Sequence, residues 1–141
     1  MAIQKVEIIK EFDFSVEKLY SFLSEHENLE KIFPLTSIKR VSDGIESRNG
    51  VGSSRKIRVL FGFPFIETIT SVIENKVIEY RITEGSPLKD HIGKMEFSTL
   101  LGGGCKLHYT IEFEGKFPLI GEIVKILLDR GIRDGLNGLQ L

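Results

Sequence analysis

The stretch Pro118-Leu119-Ile120-Gly121-Glu122-Ile123-Val124-Lys125-Ile126-Leu127-Leu128-Asp129-Arg130-Gly131-Ile132-Arg133-Asp134-Gly135-Leu136-Asn137-Gly138-Leu139-Gln140-Leu141 closes the chain, and its reading decides the fold. At helical spacing Ile120, Val124, Leu127 and Leu128 form an apolar stripe that Gly131, Gly135 and Gly138 continue, while Glu122, Lys125, Asp129 and Arg133 point away. The pattern predicts one long amphipathic helix from Pro118 to Leu141. So wide an apolar face needs a broad surface to lie on. Each glycine inside a helix costs about 1 kcal/mol against alanine, so three of them imply either a very close contact or a gap beneath the helix.

The surface is supplied by what precedes it. Period-two alternation predicts strands at Ile3 to Phe14, Ser37 to Ser42, Gly52 to Phe61, Phe65 to Ile73, Val77 to Glu84, Ile92 to Leu100 and Lys106 to Glu114. Turn residues separate them: Asp43-Gly44, Asn49-Gly50, Gly62-Phe63-Pro64, Asn75-Lys76, Gly85-Ser86-Pro87 and Gly102-Gly103-Gly104. In the last strand Leu107, Tyr109, Ile111 and Phe113 face one way and Lys106, His108, Thr110 and Glu112 the other, so one side of the sheet is covered and the other wet. Two short helices interrupt the sheet early. Ser15 is the expected N-cap of the first, whose apolar positions Val16, Leu19, Tyr20, Phe22 and Leu23 keep helical spacing, and the second runs from Glu27 to Phe33 and stops at Pro34. The sum is an α+β unit, a strand, two helices, six strands and a long helix, with the antiparallel sheet curved around that helix. A curved sheet and a single rod touch along only part of their length, which leaves room for a cavity.

Composition narrows the function. At 141 residues, 41% hydrophobic and 28% charged, the chain fits one globular domain over residues 1–141. A net charge of −1 argues against a nucleic-acid binder. The basic cluster Lys39, Arg40, Arg48, Arg55, Lys56 and Arg58 reads as solvated strand faces. The single Cys105 excludes an internal disulfide and fits a reducing cytoplasm, and no segment has the ~20 apolar residues of a membrane span. A cytoplasmic protein is the expectation.

Element order and local phrases together resemble the START-like (SRPBCC) superfamily, which includes the major birch-pollen allergen and the polyketide cyclase/dehydrase-like proteins. The phrases are Phe12-Asp13-Phe14-Ser15 with Glu17-Lys18-Leu19-Tyr20-Ser21-Phe22-Leu23, then Glu27-Asn28-Leu29-Glu30-Lys31-Ile32-Phe33-Pro34, Val51-Gly52, Ile69-Thr70-Ser71-Val72 and Gly103-Gly104. The resemblance implies a seven-stranded helix-grip fold in the order β-α-α-β6-α. It also implies a hydrophobic-ligand cavity whose mouth lies between the third-to-fourth and fifth-to-sixth strand loops and the start of the last helix. Many relatives carry Trp just before the proline that ends the second helix. This chain has Ile32-Phe33-Pro34 there and no Trp at all, leaving Phe33 as the anchor.

The covered face is expected to carry Ile57, Val59, Ile78, Tyr80, Ile82, Met95, Phe97, Thr99, Tyr109 and Ile111. With Ile120, Val124 and Leu127 of the helix, Val59, Ile78, Tyr80, Met95, Phe97, Tyr109 and Ile111 are the candidate ligand contacts. Tyr80 and Tyr109 stand out because a buried phenol needs a hydrogen-bond partner and can offer it to a ligand oxygen, although an ordinary core tyrosine fits the pattern too. Two residues are weak catalytic candidates. Glu67 faces the cavity if Phe61 pairs with Phe65, where desolvation suits it to proton transfer, or pairs with Arg58 on the wet face if Leu60 takes that place, the favoured register. His91 shares the parity of Gly93, Met95 and Phe97 near the mouth, whereas His108 looks exposed and His26 lies between helices.

The aromatic hairpin tip puts Phe61, Phe63 and Phe65 at the cavity mouth, as a cover, a transient membrane contact or a dimer contact. No metal-ligand spacing and no nucleotide loop is present, so neither metal nor cofactor is expected. Three functions follow: binding or transport of a small hydrophobic molecule such as a lipid, isoprenoid, quinone or polyketide; a polyketide cyclase or dehydratase working through Glu67 or His91; or a protein-interaction module with a filled core. The oligomeric state is left open.

Overall fold

The computed structural model describes residues 2–33, 35–60 and 62–141. Seven antiparallel strands, β1 (Ile3–Phe12), β2 (Thr36–Ser42), β3 (Ser54–Val59), β4 (Phe65–Ile73), β5 (Val77–Glu84), β6 (Leu88–Thr99) and β7 (Cys105–Gly115), form one sheet in the order β1-β7-β6-β5-β4-β3-β2. Each of β2 to β7 lies beside its sequence neighbour, so a succession of hairpins accounts for the order, and β1 pairs with β7 along its whole length, from Ile3 opposite Glu114 to Phe12 opposite Cys105.

The first helix, α1 (Val16–Ser24), opens at the expected cap: Lys18 N–H donates to Ser15 Oγ at 3.3 Å. The second is a 3-10 helix at His26–Lys31, shorter than the Glu27 to Phe33 helix read from the sequence, and the stop expected at Pro34 lies outside the described residues. The terminal helix α2 (Ile120–Asn137) is likewise shorter than expected at both ends. Leu119 has a left-handed φ of 69° that cannot continue a helix backwards, and at the other end Gly138 N–H makes the last i→i−4 bond, to Asp134 O.

Sheet curvature comes from irregularities in the ladder. Registers shift between Arg40 and Ser42, between Ile66 and Glu67, between Ile69 and Ser71, and between Lys89 and Ile92. An extra residue on one strand bends it and increases its twist. The last shift, with Asp90 at φ 53°, lets β6 begin at Leu88 rather than at the expected Ile92. In β3 the strand covers less than the expected Gly52 to Phe61: Gly52 has φ 92°, Leu60 has φ 51°, and Phe61 lies outside the described residues.

The concave face holds the core. Leu107, Tyr109, Ile111 and Phe113 of β7 are all buried beside Val6 and Ile8 of β1 and Ile78, Met95 and Phe97 of β5 and β6. Thr99, expected on this face, is exposed at the strand's end. The helix α2 packs chiefly on β1 and β7. Its far half is seated against the 3-10 helix by Gly135, where a Cβ would lie 2.7 Å from Ile32 Cα. That contact explains one of the three helix glycines. The seating leaves the β3 to β5 part of the concave face without a helix directly upon it, and the space there is the cavity.

Candidate functional site

Below α2 a cavity of about 710 Å³ opens between the sheet and the helix. Its sides are Val59 of β3, Phe65 of β4, Ile82 of β5, Leu88 of β6 and Ile111 of β7, with Phe33 closing the inner end. Val124, Leu127 and Leu128 of α2 form the roof. The β3–β4 loop (Gly62, Phe63, Pro64), the β5–β6 loop (Gly85, Ser86, Pro87) and Lys116 with Phe117 before α2 form the rim. Phe63 is 94% exposed, and Phe117 and Leu127, which also line the opening, are exposed too, so the rim is apolar toward solvent. A smaller space of about 220 Å³ continues past Phe33, Phe65 and Leu128 toward Leu29, Ile38 and Ile57.

Not every sequence candidate reaches this space. Val59, Tyr80, Ile111, Val124, Leu127, Phe63 and Phe65 line it, as do Glu67 and His91, and Phe61 lies outside the described residues. Ile78, Met95 and Phe97 do not line it, because they sit where β5 and β6 are covered and the interior is solid. Ile120 packs instead against Gly115 at the end of β7. Tyr109 lies behind Tyr80 and reaches the cavity only through it.

One polar residue from each of five neighbouring strands makes a buried band at the cavity's floor: Glu67 of β4, Tyr80 of β5 and His91 of β6 line it, and Arg55 of β3 and Tyr109 of β7 back them. The β3–β4 hairpin adopts neither of the two registers considered. Ile57 pairs with Phe65, which places Arg55 directly opposite Glu67. Glu67 therefore faces inward, and its ion-pair partner is the buried Arg55, not Arg58 on the wet face. Arg55 Nε donates to Glu67 Oε1 at 2.9 Å and Nη2 lies 2.8 Å from the same oxygen. The guanidinium also stacks over the Tyr80 ring, its Cζ 4.7 Å from the centroid.

The other Glu67 oxygen, Oε2, is turned toward His91, whose Nε2 stands 3.9 Å away, beyond direct hydrogen-bond reach. Ile82 N–H donates to His91 Nδ1 at 3.1 Å. Burial, reinforced by the Arg55 charge, holds the His91 imidazole below its ordinary pKa against the pull of Glu67. The ring is thus neutral near pH 7, and with Nδ1 accepting, its proton sits on Nε2 and faces Glu67. Tyr80 and Tyr109 join their hydroxyls in a hydrogen bond, and burial pushes both phenols well above the ordinary tyrosine value, so both stay protonated. The Tyr80 ring has room because Gly93 faces it; a Cβ there would lie 2.6 Å from Tyr80 Cε1.

Sequence reasoning missed Arg55, grouping it with solvated strand positions. Its parity was available, since Arg55, Ile57 and Val59 share one face of β3. Arg40 departs from that group as well. Its side chain is mostly buried and bonds Glu25, Asn49 and the Arg48 carbonyl. His26 is fully buried: Ser53 Oγ donates to Gly50 O, so His26 Nε2–H donates to Ser53 Oγ at 3.1 Å, and burial together with Arg55 and Arg40 pulls its pKa down to about 3. Among the described residues no group of His, Cys, Asp and Glu side chains is arranged to hold a metal ion, and no helix is long and apolar enough to cross a membrane.

Known structures share this architecture. A START superfamily protein from Mycobacterium smegmatis superposes with a TM-score of 0.77 at 19% identity, over 95% of this chain and 94% of that one. The allergen Ara h 8.0201 gives 0.67 at 20% identity over 97% of both chains. Norcoclaurine synthase from Thalictrum flavum, in a point mutant holding a transition-state analogue, gives 0.69 at 14% identity over 96% of this chain and 90% of that one. At these identities the likeness establishes the fold alone, a curved seven-stranded antiparallel sheet gripping a C-terminal helix. No curated protein matches by sequence. Residues 4–140 match the pattern of the family described as polyketide cyclase / dehydrase and lipid transport, and the chain belongs to that family.

Proposed function

We propose that this protein binds and carries a small, predominantly apolar molecule in the cavity between the sheet and α2. The observation that carries the reading is the cavity itself: about 710 Å³, walled almost wholly by aliphatic and aromatic side chains, and open at one rim. Burial of a guest there is favourable by about 25 cal/mol per Å² of apolar surface removed from water. Lipids, isoprenoids, quinones and polyketides are all of suitable character. The exposed apolar rim residues Phe63 and Phe117 support a brief contact with a lipid surface during exchange.

Native mass spectrometry and organic extraction of the gently purified protein test the proposal. A bound apolar compound, or saturable uptake of a fluorescent lipid probe that Leu128→Trp abolishes, is the expected result. Protein that takes up no apolar probe would refute it.

The convergence of Glu67 and His91 at the floor favours a second reading, proton transfer on a guest of polyketide type. Turnover of such a substrate, lost in Glu67→Gln, is its test. An interaction module with a filled core is not supported, since this end of the interior is open.

A further inference from the structure

Three features of the floor bear on which apolar molecules fit. Arg55 directs both of its contacting nitrogens to Glu67 Oε1, so Oε2 is left as a carboxylate oxygen with acceptor capacity. His91 has its Nδ1 occupied by Ile82 N–H, so Nε2–H is a donor with no partner at bonding distance. The two atoms are 3.9 Å apart and both residues line the cavity. An oxygen placed about 2.8 Å from each stands about 2 Å off the line joining them, on the cavity side.

Building on the cavity reading above, we infer that Glu67 and His91 form a binding site for a single hydroxyl group, so that the preferred ligand is an apolar alcohol or phenol. A hydroxyl donates to Oε2 and accepts from Nε2–H at once. Other head groups match only half of the pair. A ketone or ether accepts from His91 but leaves a carboxylate oxygen facing apolar substance. A carboxylate accepts from His91 but brings a second negative charge against Glu67. An ammonium donates to Oε2 but opposes the His91 N–H. The neutral state of His91, maintained by burial and by Arg55, keeps the donor in place near neutral pH. Arg55 acts as a positioning residue: by holding Oε1 it fixes which oxygen the guest meets.

Isothermal titration calorimetry with β-naphthol, its methyl ether, naphthalene and β-naphthoate tests the inference at neutral pH. The ring system is common to all four, so differences report the head group. The expected result is β-naphthol binding roughly 10- to 100-fold more tightly than the methyl ether, the range for a hydrogen bond to a charged group. In Glu67→Gln, whose amide oxygen can still accept from Arg55 but whose amide nitrogen cannot accept the guest's proton, that preference falls at least several-fold while the methyl ether, which only accepts from His91, binds as before. Equal affinity for β-naphthol and its ether, or tighter binding of β-naphthoate, would overturn the hydroxyl site and leave the apolar cavity standing. No binding by any of the four would overturn both.

Discussion

Arg55 and Glu67 face each other across the β3–β4 ladder, and the guanidinium gives both its contacts, at 2.9 and 2.8 Å, to a single carboxylate oxygen. Both side chains are almost completely buried. The pair is what makes a carboxylate tenable on the floor of an apolar cavity, because an ion buried without its partner is strongly destabilising.

Removing one partner should therefore hurt more than removing both. Arg55→Met is expected to lose about 3–5 kcal/mol by leaving Glu67 uncompensated, while Arg55→Met combined with Glu67→Leu is expected to return to within about 1 kcal/mol of the parent or above it. Urea unfolding of the four proteins in the cycle measures this, and additive losses would contradict it.

Gly135 in α2 and Gly138 just past its end should respond oppositely to alanine. At Gly135 the new Cβ would lie 2.7 Å from Ile32 Cα, so Gly135→Ala is expected to lose about 1–3 kcal/mol by pushing α2 off the 3-10 helix. At Gly138 the nearest atoms are 3.7 Å away and φ is −85°, so Gly138→Ala is expected to be neutral or to gain about 0.5 kcal/mol. Thermal melts of the two variants separate these outcomes.

Stability should fall with pH below neutrality. His26 and His91 are buried neutral, with folded pKa values below the ordinary value of 6.5, His26 at about 3. Between about pH 6.5 and 5 the unfolded chain binds protons that the folded chain refuses, so stability is full above the unfolded value and declines as pH falls. His26, with its folded value at about 3, contributes a slope approaching about 1.4 kcal/mol per pH unit, and His91 adds to it in the same direction. His26→Gln, which can keep a donor toward Ser53, should make the slope shallower by one proton's worth. Urea midpoints at several pH values in that window give the slopes.

Phe63 stands almost wholly in solvent at the rim, so Phe63→Asp should change stability by less than about 0.5 kcal/mol. If the hairpin tip guides exchange, the variant transfers a fluorescent lipid from vesicles more slowly than the parent. Stopped-flow transfer at equal rates would remove the rim from the exchange step.

Legibility followed the range of the interactions involved. Strands β4 and β5 appear at their expected bounds because alternation and the Asn75 turn are local, and Ser15 caps α1 for the same reason. The Glu67 position was harder. Its side depended on how many residues separate the first partners of the β3–β4 ladder, and that ladder begins only at Ile57 with Phe65. A register difference of one residue turns a side chain to the opposite face.

What the sequence determined by itself was the order of the elements, the inward face of β7 and the amphipathic helix that the sheet grips, because periodicity and turn chemistry act between near neighbours. Only the tertiary structure decided where the helix rests. By packing on β1 and β7 and seating Gly135 against Ile32, α2 leaves the β3 to β5 side uncovered, and there Arg55, Glu67 and His91 meet. That meeting joins strands far apart in the chain through ladder registers and bulges, which depend on the packing of the whole sheet rather than on any local run of residues.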